Sequence, residues 1–223
     1  MALFYQHNIN EATKLAIWRI EEEEAFFLER VPLKSDVTHP FKRLQHLAGR
    51  TLLPLLAEDF PLSEIVIADT RKPYLASEKY HFSISHSGSF AAAIVSSQSR
   101  VGVDIEKITP KIGSIQHKFL SEREYGMAVS NWQQAVPEIM ALLPPTAPSP
   151  LLTLLWSAKE AIFKWYGLGQ VDFREHIQLS GPIVSGTGGW LLLPFVFKKG
   201  GDTRLTVHGR FFEDLAFAWV LTG

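Results

Sequence analysis

Cysteine is missing altogether from the 223 residues, which excludes disulfides, thiolate metal sites and cysteine nucleophiles. An excess of one charge is missing too. Twenty-two Lys and Arg stand against 23 Asp and Glu, a formal net charge of -1. No bulk basic field therefore advertises nucleic acid or an anionic membrane, and any anion site must be local. The chain also lacks a long apolar run and an N-terminal basic-then-apolar leader, so the expectation is a cytoplasmic protein that engages neither nucleic acid nor membrane. What it has is core material: 46% hydrophobic and 12% aromatic residues suffice for one large domain or two small lobes.

Periodicity predicts the elements. Lys14–Ile20 reads as a strand followed by a helix over Glu21–Arg30, or else the two form one continuous helix. Apolar Phe41, Leu44, Leu47, Ala48, Leu52 and Leu55 recur at threes and fours, predicting an amphipathic helix over Pro40–Ala57, ended or bent at Pro54. Its polar stripe holds Arg43, His46 and Arg50. Glu64–Ala68 and Tyr80–Ser85 read as strands separated by the Arg71-Lys72-Pro73 turn, the second delivering His86 at its end. Ala91–Ser97 and Arg100–Ile108 read as a hairpin. Ser121 with Glu124 spells a capping box opening a helix to about Val129, and Pro137 to Pro150 marks a loop-rich insertion. A helix through Trp156–Tyr166 stops at Gly167, and Trp190–Phe197, Arg204–His208 and Leu215–Leu221 read as strands. The fold class expected is α+β: two similarly built lobes, a pseudo-dimer over residues 1–100 and 101–223. Each would be a small, mainly antiparallel sheet on helices, with the active site between them and the metal site carried by the second.

The chemistry concentrates in two strings. In GVDIE, Gly102 to Glu106, alternation sends Val101, Val103 and Ile105 to one side, and Asp104 and Glu106 to an open face. In WSAKEAIFK, Trp156 to Lys164, helical spacing puts Glu160 and Lys164 one turn apart on the stripe of Trp156. Three carboxylates and a lysine suit magnesium holding a polyphosphate, manganese being the other hard cation with the same taste in ligands. Singly, each has an ordinary reading. Asp104 and Glu106 suit a solvated edge strand, Ser157 with Glu160 a capping box, Glu160 with Lys164 a helical ion pair, His86 a turn, and the basic stripe a wet helix face.

Jointly they spell something more specific. FSISHSG (Phe82 to Gly88), GVDIE and WSAKEAIFK, with the weaker RKPYL (Arg71 to Leu75) upstream, resemble the signature blocks of the 4'-phosphopantetheinyl transferases of the two-lobed, surfactin-synthetase-activating type. The resemblance covers most of Phe41 to Lys164. It implies transfer of the phosphopantetheine arm of coenzyme A to a serine of an apo acyl or peptidyl carrier protein, releasing adenosine 3',5'-bisphosphate. By matching position, Asp104, Glu106 and Glu160 would hold magnesium, with Glu160 also the general base. Lys164 would neutralise pyrophosphate oxygens, Ser85 and His86 would bind phosphates of coenzyme A, and Lys72 its nucleotide end. Arg43 and Arg50, with Lys42 nearby, fall where such enzymes place cations for the 3'-phosphate. Lys159 is expected to face solvent or the carrier protein. Met127–Pro150 is longer than the pattern suggests and bears on the carrier surface. Paired lobes make a monomer the expectation. Two other readings use the same residues: a metal-dependent hydrolase of nucleotide pyrophosphates, and a non-catalytic module binding coenzyme A or carrier protein.

Overall fold

The structure, a computed structural model, describes residues 3–32, 37–135 and 149–222. The chain falls into two compact units, residues 1–105 with 222–223, and residues 106–221. Both mix helices with antiparallel sheet, so the class is α+β as expected.

The first unit contains β1 (Leu3–Asn8), β2 (Thr13–Arg19), α1 (Glu24–Leu28), α2 (Pro40–Leu56), β3 (Ile65–Ile67), β4 (Pro73–Leu75), β5 (His81–Ser87) and β6 (Phe90–Ser96). It ends within β7 (Arg100–Lys107). The sheet order is β1-β2-β6-β5, and β3 pairs with β4 as a separate ribbon. Leu47, Leu52, Leu53 and Leu56 of α2 bury against Phe82, Ala91, Ala93 and Val95, each leucine contributing about 1.5 to 3 kcal/mol by leaving water. Small residues let the layers approach. A Cβ on Gly49 would lie 2.6 Å from Ile84 Cγ2, so α2 rests directly on β5.

Several expectations need correction here. Continuous helix from Lys14 is wrong: β2 spans Thr13–Arg19, and the helix expected over Glu21–Arg30 shortens to Glu24–Leu28. The first strand, β1, pairs with β2 and was not anticipated. Pro54 neither ends nor visibly interrupts α2, which runs to Leu56; so near the C-terminus, a missing N–H removes a single helical hydrogen bond. β6 and β7 do not form a hairpin, because β2 and β5 already occupy both edges of β6.

The second unit contains α3 (Ile112–Phe119), α4 (Glu122–Ala135), α5 (Ser149–Tyr166), β8 (Ile177–Leu179), β9 (Val184–Ser185), β10 (Leu191–Phe197), β11 (Thr203–Phe212) and β12 (Leu215–Thr222). Its strands run β12-β11-β10-β8, with β9 on β10. Leu151, Leu154, Leu155, Ala158, Ala161 and Ile162 of α5 form the core with Leu193, Phe195, Val207 and Ala218. A Cβ on Gly209 would meet Leu154 Cδ1 at 2.7 Å, so α5 seats on β11. Gly167, at φ 74°, ends α5 by donating its N–H to Phe163 O at 3.0 Å, the left-handed stop that glycine permits.

The Ser121–Glu124 capping box forms: Glu124 N–H donates to Ser121 Oγ at 3.3 Å and Ser121 N–H to Glu124 Oε2 at 3.0 Å. α4 continues past Val129 to Ala135. Of the proline-rich insertion, Pro137 to Pro148 lies outside the described residues, while Pro150 sits in the first turn of α5. Since α5 begins at Ser149, Ser157 and Glu160 are mid-helix and form no capping box.

Candidate active site

In the first unit, β5 and β7 carry a polar seam. Ser83 Oγ accepts the Val103 N–H at 3.2 Å, and Ser85 Oγ donates to Asp104 Oδ1 at 2.7 Å. Asp104 is 2% exposed. The open face expected for it is therefore wrong: the serines of FSISHSG cover the polar side of β7, and alternation no longer separates wet from dry. A buried carboxylate receiving a hydroxyl proton is held in one orientation, as a ligand or an electrostatic anchor must be.

Above β5, α2 does not present a solvated basic stripe either. Arg50 is 7% exposed, and its Nη1 has no hydrogen-bond partner among the described residues. Burial lowers its pKa. His46, one turn earlier, is driven down to about 4, first by burial, then by the charges of Arg50 and His86. His86 is exposed and lies within β5, one residue short of its last. Gln45 Nε2 donates to Gly88 O at 2.8 Å, tying α2 to the turn that follows β5. Arg43 differs: its Nη2 donates to Glu24 Oε1 of α1, so its charge is already met.

Lys72 follows a left-handed Arg71 (φ 65°), and the turn closes through Arg71 N–H to Ala68 O at 2.8 Å and Ala68 N–H to Lys72 O at 3.0 Å. Burial, and then the Arg100 charge, lower Lys72 to about 8. Arg100 opens β7, as the strand expected from Arg100 does, but its effect on Lys72 was missed, because it links residues far apart in the sequence. The Arg100 charge adds to the positive potential around Lys72, which favours an anion there.

In the second unit, Glu160 and Lys164 share one half-buried stripe of α5 with Trp156, as the spacing predicts. Trp156 Nε1 donates a long bond to Glu106 Oε1 at 3.4 Å, and its ring packs edge-on to Phe119 at 5.2 Å. Lys159 contradicts expectation. It is 0% exposed and donates to Phe119 O at 2.6 Å, Glu124 Oε1 at 2.7 Å and Phe173 O at 2.9 Å. Burial lowers its pKa against the pull of Glu124. Glu124 also accepts the Leu179 N–H at 2.9 Å, so one ion pair fastens α3, α4 and β8 to α5. The signal was available: an apolar stripe of Leu151, Leu155, Ala158 and Ile162 places Lys159 at its margin.

The candidate ligands thus divide, Asp104 in the first unit and Glu106 and Glu160 in the second. Among the described residues, no three His, Cys, Asp or Glu side chains are gathered as a ready metal-holding group. The donor chemistry nonetheless fits a hard cation, being carboxylate oxygen throughout.

Known proteins are similar to this chain. Residues 100–198 match the family described as the 4'-phosphopantetheinyl transferase superfamily. The chain is 31% identical over 145 residues to the 4'-phosphopantetheinyl transferase AcpT of Escherichia coli K12, covering 62% of this chain and 68% of that one. It is 33% identical over 141 residues to enterobactin synthase component D of Salmonella austin, covering 63% and 51%. A 4'-phosphopantetheinyl transferase of Bacillus subtilis is 35% identical over 99 residues, covering 44% and 38%. The chain is therefore an enzyme of the transferase class. It belongs to the 4'-phosphopantetheinyl transferase superfamily.

Proposed function

We propose that this enzyme moves the 4'-phosphopantetheine arm of coenzyme A onto a serine of an apo acyl or peptidyl carrier protein and releases adenosine 3',5'-bisphosphate. The observation that carries the donor is the buried Arg50, whose Nη1 has no hydrogen-bond partner among the described residues, with His46 one turn away and His86 near that histidine. Such a cluster suits a phosphate group, and coenzyme A offers three. Ser85, His86, Arg43 and Arg50 bind those phosphates, and Lys72, with Arg100, receives the nucleotide end.

Magnesium is the proposed metal, with Asp104, Glu106 and Glu160 its ligands; when bound it supplies charge neutralisation on the pyrophosphate. This assignment is supported by the all-carboxylate donor set and by the family. Glu160 takes the proton of the carrier serine hydroxyl. The serine oxygen bonds to the phosphorus bearing the pantetheine arm, and the bond from that phosphorus to the bridging oxygen breaks. The electron pair leaves with adenosine 3',5'-bisphosphate, whose new charge Lys164 offsets. Protein and carrier meet in the cytoplasm, with the enzyme a monomer.

Nucleotide analysis tests the reaction. Adenosine 3',5'-bisphosphate should form only when coenzyme A, magnesium and a carrier serine are all present. Formation without carrier protein would instead make the enzyme a hydrolase.

A further inference from the structure

His46 and Arg50 stand one turn apart on α2, and His86 on β5 is set against His46. Gln45 and Gly49 hold this face in place, one through Gly88 O and the other through its close approach to Ile84. Arg50 is 7% exposed, with a buried Nη1 that has no partner among the described residues. An uncompensated buried cation is costly, and an entering anion removes that cost. The charges acting on His46 include Arg50 on its own helix and His86 on β5. On the α1 side the acid is Glu24, which Arg43 engages, and β6, Phe90–Ser96, brings no charge.

We infer that His46 is a proton-linked ligand of this site: neutral while the site is empty, it takes up a solvent proton when the 3'-phosphate monoester enters beside Arg50 and His86. This rests on the proposed reading that coenzyme A is the donor. The empty site keeps His46 neutral at physiological pH, its pKa being about 4. A phosphate dianion reverses the local field: it cancels the repulsion from Arg50 and accepts a charge-assisted hydrogen bond from the imidazolium. The proton moves from solvent to the ring nitrogen, and no other bond changes.

Calorimetry of coenzyme A binding at about pH 6, in buffers of contrasting ionisation heat, counts the protons exchanged. The phosphate itself titrates near pH 6 and gives up a proton among cations; subtracting the His46→Gln count cancels that contribution. Wild type should take up roughly half to one proton more per coenzyme A than His46→Gln or His46→Asn. With 3'-dephospho-coenzyme A the difference should vanish. In unsubstituted enzyme, the assigned His46 ring resonance should show a pKa raised by about two units or more on saturation with coenzyme A. Equal proton counts in wild type and folded variants, or an unmoved His46 resonance, overturn the inference and leave the donor assignment intact. A difference that persists with the dephospho form overturns the assignment to the 3'-phosphate. Failure of wild type to bind coenzyme A overturns the donor assignment and the inference together.

Discussion

Arg43 and Arg50 lie two turns apart on one helix, and the structure predicts that they will behave differently when truncated. Arg43 is engaged by Glu24, whereas Arg50 is buried with an unmatched Nη1. A charge-assisted contact to phosphate contributes about 1.5 to 3 kcal/mol. Arg50→Ala should therefore lower kcat/KM for coenzyme A roughly ten- to a hundredfold. It should barely change use of 3'-dephospho-coenzyme A, because the group that Arg50 contacts is already absent. Arg43→Ala should cost less than Arg50→Ala, since part of its donor capacity is committed to Glu24. Stability provides the second readout. Losing Arg50 relieves a desolvated, unpaired charge, so the urea midpoint should hold or rise unless its stem supplies packing; losing Arg43 breaks a pair about one-third exposed, worth at most about 1 kcal/mol. The assay is steady-state kinetics with both substrates, alongside urea unfolding. Equal losses of Arg50→Ala with both substrates, together with a lowered midpoint, would show that Arg50 serves folding and not phosphate.

Three other outcomes follow from particular contacts. Lys159→Met should destabilise by about 3 to 5 kcal/mol by stranding Glu124, and Lys159→Met with Glu124→Gln should recover part of this, as urea unfolding of the single and double variants will show. His46 has a folded pKa, about 4, below its unfolded value, so between roughly pH 6.5 and 4 the unfolded chain binds more protons. Stability should fall with pH through that window, and His46→Gln should flatten the decline in melting temperature. Lys72, at about 8, loses its charge as pH rises through that value, so KM for coenzyme A should climb above about pH 8 and Lys72→Arg should remove the climb.

Legibility in the sequence followed the source of each signal. The α5 stripe of Trp156, Glu160 and Lys164 was readable because helical period alone fixes which side chains align. So was the Ser121–Glu124 cap, a purely local contact. Asp104 was misread because its burial comes from Ser83 and Ser85, about twenty residues away, and strand alternation says nothing about what covers a face. For Lys159 the apolar stripe of α5 signalled a place at the margin of the core, but not its partners Phe119, Glu124 and Phe173, which come from three separate segments. Pairing of β6 with β2 and β5 likewise depends on β1–β2, a hairpin whose first strand carries little periodic signal. Arg50 and Arg43 looked equivalent by spacing, and Glu24 separates them only once α1 is placed.

The central claim is transfer to a carrier protein, and intact mass of the carrier measures it most directly. Incubated with coenzyme A, magnesium and this enzyme, at least one apo acyl or peptidyl carrier protein should gain the mass of a single phosphopantetheine on its serine. The gain should be abolished by chelator and severely reduced in folded Glu160→Gln, since the amide cannot take the serine proton. An unchanged mass across both carrier classes, from a folded enzyme that binds coenzyme A, would contradict the account.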